Sequence, residues 1–231
     1  MYKRILLKLS GEALAGENGF GLDLSKAKDA GRQVLAAKET GAQIGIVIGG
    51  GNFWRGRSSE GIDRVKADQI GMLGTVMNCL YVSEVFRGMG METSVYTPYA
   101  IGLYTEVFNK DKAVRDMEAG KIVFFAGGTG HPFFSTDMGV ALRAAETDCD
   151  VILMAKNVDG VYDSDPNLNP NAKKFDTLTY QEMLARCLRV IDLPAAAFCM
   201  ENHIPSVLFA LKEEGSIVKA VNGEKIGTML S

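Results

Sequence analysis

Six short stretches of the chain are apolar without polar alternation: Ile5-Leu6-Leu7, Ile44 to Ile48, Thr93 to Tyr96, Lys121 to Phe125, Val151 to Met154 and Ser206 to Phe209. Short β-branched runs of this kind predict strands covered on both faces of a sheet. Helical spacing with charged outer positions fills the gaps. It predicts a helix from Ser25, a plausible N-cap, to Lys38, before Gly41, and a long one rich in Met and Gly from Arg64 to Arg87. Further helices are predicted over Asp111–Glu118, Asp137–Glu146, Thr179–Leu188, Ala195–Glu201 and Lys212–Ala220. Strands alternating with helices imply an α/β fold around a mainly parallel central sheet. The irregular stretch Asp163 to Lys174, with Pro166 and Pro170, reads as a long surface loop. No compositional break or repeat divides the chain, so residues 1–231 are expected to form a single domain on one sheet, with a two-lobed arrangement as the variant.

Composition narrows the function classes. Of 231 residues, 47% are apolar and 23% charged, which is globular usage. The formal charge of −3 supplies no basic field for a nucleic-acid partner. No apolar run approaches the roughly 20 residues of a spanning helix, so no membrane partner is expected. Lys3 and Arg4 precede a short apolar run, but Lys8, Ser10 and Glu12 break it, and the segment reads as mature protein rather than a signal peptide. Cys79, Cys149, Cys187 and Cys199 are too scattered for a disulfide framework or a cysteine metal site. They suit buried free thiols in the cytoplasm.

Ligands of open α/β sheets sit beyond the carboxyl ends of the strands. Three predicted strands run there into glycine-bearing turns: Lys8-Leu9-Ser10-Gly11-Glu12, Gly49-Gly50-Gly51-Asn52 with Arg55-Gly56, and Gly127-Gly128-Thr129-Gly130 leading to Asp137. Glycines free backbone N–H groups to approach an anion, and a following helix start adds partial positive charge. One such turn would be ordinary turn chemistry. Three, two of them with a nearby Lys or Arg, point to phosphate. The G-x-x-x-x-G-K-[ST] and G-x-G-x-x-G fingerprints and the H-R-D and D-F-G kinase signatures are absent, so another cradle must serve.

The residues resemble a known family. Lys8 to Leu14, the Gly49 turn with Arg55-Gly56, Gly71-Met72-Leu73 to Val76-Met77-Asn78, Thr129 to Asp137 and Val158-Asp159-Gly160-Val161-Tyr162 are similar to bacterial uridylate (UMP) kinases, within the amino-acid kinase superfamily. The likeness runs from Tyr2 to Gly227-Thr228, and the run around Pro132-Phe133-Phe134 carries the specificity for UMP. The resemblance implies a three-layer αβα sandwich of amino-acid kinase type, with an N-terminal acceptor lobe and a C-terminal ATP lobe in the two-lobed variant. It implies transfer of the γ-phosphoryl group of ATP, with Mg²⁺, to UMP, in a homohexamer inhibited by UTP and, in some members, activated by GTP. The GTP-responsive segment would fall at Gly16, Glu17, Asn18, Gly19, Phe20 and Gly21.

By the same resemblance, the catalytic residues would be Lys8, Asp137 and Arg55. ATP would be held by Lys8, Leu9, Ser10, Gly11, Gly51 and Arg55, by Tyr162 and Asp165, and by Lys156 or Asn157. UMP would lie against Gly50, Asp68, Thr129, Gly130, His131, Pro132, Phe133, Phe134, Ser135 and Thr136. Physical chemistry supports several of these roles. Lys8 would neutralise the transferring group. The acceptor phosphate is already ionised, so no general base is required of His131 or His203. Asp68 would repel a phosphate and is expected at ribose hydroxyls. Each assignment has a plain alternative: a solvated lysine for Lys8, a helix N-cap for Asp137, an early-turn acid for Asp68 and hydrophobic core or interface for Phe133 and Phe134. No protein ligand to Mg²⁺ stands out, and Asp192 reads as structural support. The apolar helix after Asp68, with Gly71, Gly74 and Ser83, is expected to join a subunit interface through Met72 or Met77. Two rivals remain at this stage: a relative phosphorylating a carboxylate or carbamate, and a non-catalytic nucleotide-sensing module.

Overall fold

The computed structural model describes residues 1–16, 19–56, 61–166, 168–188 and 190–231. Each predicted apolar run is a strand: β1 (Arg4–Leu9), β2 (Gln43–Ile48), β3 (Thr93–Thr97), β5 (Ile122–Phe125), β6 (Val151–Lys156) and β10 (Ser206–Ala210). Five short strands were not legible as apolar runs: β4 (Glu106–Val107), β7 (Val161–Tyr162), β8 (Lys174–Phe175), β9 (Thr177–Leu178) and β11 (Thr228–Leu230). Among the described residues, nine strands form one sheet in the order β4-β3-β5-β2-β1-β6-β10-β11-β9. All neighbours are parallel except β10 and β11. Strands β7 and β8 form a separate antiparallel ribbon, so the predicted loop lies between the two strands of a hairpin and ends at Lys173, Lys174 being part of β8.

The helices are α1 (Leu24–Glu39), α2 (Arg64–Gly88), α3 (Lys110–Glu118), α4 (Thr136–Glu146), α5 (Tyr180–Ala185), α6 (Leu193–Glu201) and α7 (Ser216–Val221), with a 3-10 turn over Gly11–Leu14. The side-chain period of two sorts the central strands into two cores. Ile5, Leu7, Ile44 and Ile46 face Val34 of α1, Val82 and Phe86 of α2 and Ile217 of α7. Leu6, Val123, Phe125 and Ile152 face Met117 of α3, Val140 of α4, Met183 of α5 and Ala195 of α6. The result is the expected αβα sandwich.

Helix boundaries depart from the sequence reading for identifiable reasons. The first helix is capped by Asp23, not Ser25: its carboxylate accepts from the N–H groups of Ser25 and Lys26. The cap of α4 is Ser135, not Asp137, leaving the Asp137 carboxylate for other partners. Helix α5 stops at Ala185 rather than Leu188 because Cys187 turns left-handed (φ 54°), letting Leu188 N–H donate to Met183 O at 3.1 Å. The same reversal ends α4 at Asp148 (φ 53°) and α6 at His203 (φ 53°). All three are glycine-type helix endings built without glycine, and they give His203 a surface structural role. The last helix begins at Ser216, not Lys212, after Gly215 (φ 68°). The thiols are free, but only Cys79 and Cys199 are buried; Cys149 is half-buried and Cys187 exposed.

Asn78 of helix α2 and Asn52 of the turn after β2 meet deep inside the molecule. Asn78 and Asn52 are buried and exchange reciprocal amide hydrogen bonds at 2.9 and 2.7 Å. Asn78 also donates to Gly49 O at 2.7 Å, and Asn52 to Gly21 O at 2.7 Å. Removing one amide orphans the other, which costs about 1–3 kcal/mol per buried polar group. Asn78→Ala is therefore expected to lower the midpoint of thermal unfolding by roughly 5–10 °C, measured by circular dichroism, on the usual scaling for a chain of this size.

Candidate active site

Strands β5, β2, β1 and β6 are adjacent and parallel, so the turns that follow them share one rim of the sheet. Close backbone approach explains the glycines there. A Cβ at Gly11 would lie 2.2 Å from Gly49 O and 2.3 Å from Asn52 Oδ1, so the first two turns touch directly. A Cβ at Gly50 would meet Gly71 O of α2 at 2.6 Å. The third turn is pinned to α2 as well: Gly127 N–H donates to Thr75 Oγ1 at 2.8 Å. Gly127 and Gly128 both take positive φ (77° and 60°), which a side chain would oppose. One helix thus braces two of the three glycine turns.

These turns, α2 and the start of α6 enclose a cavity of about 890 Å³. Gly50, Gly51, Arg55, Asp68, Thr129, His131, Phe133, Phe134, Ser135, Thr136, Asp137 and Lys156 all line it, as the sequence reading grouped them. Phe133 and Phe134 are exposed, so the core half of their alternative fails, while an exposed apolar pair is still compatible with an interface. Gly130 and Pro132 belong to the same turn without lining the cavity. Lys8, Leu9, Ser10, Gly11, Asn157, Tyr162 and Asp165 lie outside the lining. Leu9 is fully buried in the core, so only its backbone could serve a ligand. Tyr162 sits on the β7–β8 ribbon, its hydroxyl donating to Asp159 at 2.7 Å. Of the expected effector segment, Gly16, Gly19, Phe20 and Gly21 are described, while Glu17 and Asn18 lie outside the described residues.

The strongest electrostatic feature is buried beside the cavity. Even-numbered positions of β1 face α4, which brings Lys8 Nζ to 2.7 Å from Asp137 Oδ1. Burial alone would raise the Asp137 carboxyl, but the Lys8 and Lys156 charges outweigh it and hold it below the usual aspartate range. Lys156 is moved down by its own desolvation, opposed by Asp137, and its ammonium donates to Val190 O. Asp192 caps α6 through Ala195 N–H, accepts from Ser135 Oγ, and its own N–H reaches Asp137 Oδ2 at 3.3 Å. Two lysines therefore flank one carboxylate, which is fixed from behind by the ends of two helices.

Asp68 makes a second anchor. Its Oδ2 accepts from Arg64 Nε at 2.9 Å and from Phe133 N–H at 2.8 Å. Phe133 takes φ 71°, strained for a residue with a side chain, and Arg64 lies over its ring at 5.4 Å. Arg55 pairs with Glu12 across the mouth. Sequence reasoning assigned no role to Arg64, Glu12, Thr75 or Trp54, all of which line the cavity. The i,i+4 spacing of Arg64 and Asp68 was a readable sign for the first. Trp54 Nε1 is buried with no hydrogen-bond acceptor among the described residues, and nothing in the sequence foretold it.

The Asp137 shift predicts how stability depends on pH. Above the unfolded aspartate value, near pH 4, the group is ionised in both states and its ion pairs contribute in full. Below that value the unfolded chain takes up a proton first, so the contribution declines and is gone once pH falls through the lower folded value. Denaturant titrations from pH 7 to pH 2 should show the stability gap between the parent chain and Asp137→Asn narrowing as pH drops below about 4. A gap independent of pH would contradict the ion-pair account.

Comparison with known proteins agrees with this geometry. The amino acid kinase family model matches residues 3–215. UMP kinase from Bacillus anthracis superposes with a TM-score of 0.96 at 37% identity, over 100% of this chain and 96% of that one. UMP kinase from Ureaplasma parvum gives 0.93 at 34%, over 100% and 99%. Uridylate kinase from Archaeoglobus fulgidus gives 0.75 at 26%, over 98% and 99%. With the family model spanning most of its length and two relatives above 30% identity aligned end to end, this chain belongs to the amino acid kinase family.

Proposed function

We propose that this enzyme transfers the γ-phosphoryl group of ATP to UMP, giving ADP and UDP. The observation that carries the reading is the Lys8–Asp137–Lys156 cluster beside a cavity walled by glycine turns, in a chain that matches UMP kinases along its full length.

The acceptor oxygen of UMP is anionic at neutral pH, so the protein's task is positioning and neutralising charge. Lys8 and Lys156 meet the negative charge of the transferring group from fixed places, and Asp137 keeps both lysines aimed. Amides of Gly50 and Gly51 and the Arg55 guanidinium receive phosphate oxygens, with Arg55 exchanging Glu12 for the ligand. Asp68 accepts ribose hydroxyls in competition with Phe133 N–H, and Thr129 to Thr136 wrap the nucleoside. Tyr162 and Asp165 contact ATP from the ribbon, so acceptor and donor lie toward opposite halves of the sheet, an N-terminal acceptor lobe and a C-terminal ATP lobe. Mg²⁺ arriving on ATP supplies charge neutralisation and polarises the phosphoryl oxygens. Among the described residues no three His, Cys, Asp or Glu side chains cluster, but Asp137 and Asp192 offer hard oxygens, so the ion fits as a passenger of the nucleotide held mainly by phosphate and water.

Regulation by UTP and GTP belongs to the same reading. Its support is a mechanical link: Gly21 N–H donates to Asn52 O at 3.1 Å, and Phe20 meets Phe53 edge-on, so the 16–21 segment touches the acceptor turn. A homohexamer would cover the outer face of α2, where Ile70, Leu73 and Met77 are exposed at helical spacing. Met72 lines the cavity instead, which makes Met77 the informative position. Among the described residues no helix is long and apolar enough to cross a membrane, and the free thiols suit the cytoplasm.

Coupled ADP release with UMP, CMP, N-acetylglutamate and carbamate as acceptors, with and without Mg²⁺, tests the assignment. UMP with Mg²⁺ should give the largest kcat/KM; turnover only with a carboxylate or carbamate acceptor, or binding without turnover, would refute it. Lys8→Ala should lower kcat by about 10²–10³ while nucleotide binding changes little. Met77→Glu should reduce the mass seen by light scattering, and an unchanged hexamer would remove α2 from the interface.

A further inference from the structure

The β7–β8 ribbon lies outside the large sheet and consists of only two residue pairs, Val161 with Phe175 and Tyr162 with Lys174. A ribbon that short does not hold its own geometry in water. What fixes it comes from the far end of the chain. Thr228, the first residue of β11, is fully buried, and its register opposite Leu208 ties it to β10. Its hydroxyl accepts from Val161 N–H at 2.8 Å and donates to Phe175 O at 2.5 Å. One Oγ1 thus uses its donor on one strand of the ribbon and its acceptor on the other.

The surroundings are shaped for this contact. A Cβ at Gly160 would lie 2.7 Å from Thr228 Oγ1 and 2.8 Å from Lys174 Cδ, so glycine is what lets the ribbon reach the hydroxyl. Gly227 takes φ 62°, and a Cβ there would lie 1.8 Å from Leu208 O, which fixes how the chain enters β11. Once the ribbon is seated, Tyr162 donates to Asp159, and Asp159 pairs with Lys174 at 2.9 Å.

We propose that Thr228 is a positioning residue for the donor nucleotide: its hydroxyl sets the ribbon that carries Tyr162, and the loop that leads to Asp165, against the sheet edge formed by β10 and β11. This rests on the reading of Tyr162 and Asp165 as ATP contacts. Thr228 is fully buried and does not line the cavity, so its effect would pass through the ribbon. Valine at this position keeps the shape but leaves Val161 N–H and Phe175 O unpaired in a dry site, whereas serine keeps the hydroxyl.

Initial rates on the full chain, with ATP and UMP varied separately, read the effect. Thr228→Val is expected to raise KM for ATP at least about tenfold, since each of the two hydrogen bonds it removes carries a factor of about that order, with KM for UMP within about twofold of the parent. Thr228→Ser should return KM for ATP to near the parent value. Gly160→Ala crowds the same hydroxyl from the other side and should raise KM for ATP with Thr228 intact, which keeps the test open if the valine variant does not fold. Unchanged KM for ATP in Thr228→Val or Gly160→Ala, an equal rise for both substrates, or no rescue by serine would overturn the proposal. A parent chain that transfers nothing to UMP would instead overturn the assignment of the reaction.

Discussion

The ion pair between Lys8 and Asp137 is the contact around which the molecule is arranged. At 2.7 Å, with each side chain about six-sevenths withdrawn from water, it links the central strand of the sheet to the start of α4. Two opposite charges in that setting stabilise only when both are present and further polar partners complete them. Here Lys156 and the Asp192 N–H supply that completion. The arrangement fixes the direction of α4, and through Ser135 and Asp192 it fixes the start of α6. Everything else at the rim is placed relative to those two helix ends and α2.

Because the cationic groups are already matched by acids, the cavity is close to electrically balanced before any ligand enters. Arg55 rests on Glu12, Arg64 on Asp68 and Lys8 on Asp137. On the proposed reading, a bound phosphate would compete for donors that are already oriented, which would limit the reorganisation needed when charge moves during transfer. The exposed pair at the mouth exchanges partners at low cost, since a solvated salt bridge contributes little. The buried pair resists such exchange.

Much of this was legible in the chain before any coordinates. Apolar runs located the six long strands, and the parallel order that alternation implies brought the glycine turns to one rim. The residues at 8, 50, 51, 55, 68 and 129–137 followed from those turns and from family resemblance. Helix ends were less legible, because Asp148, Cys187 and His203 adopt the left-handed conformation that sequence reading reserves for glycine. The short strands were hidden because two or three residues carry no periodicity. Asp137 was readable as a cap only while its rival Ser135, two residues earlier, was overlooked. Arg64 and Trp54 escaped because their importance lies in what they face across space, and neighbours in sequence do not report it.

The interlock among Gly11, Gly49, Asn52 and Asn78 carries a consequence for how such a chain can change. Any atom added at position 11 strikes a carbonyl and an amide belonging to the neighbouring turn. Shortening either asparagine strands its counterpart in a dry interior. A mutational walk through these sites one step at a time therefore meets a barrier whichever position moves first. The cradle can be rebuilt only by concerted exchange.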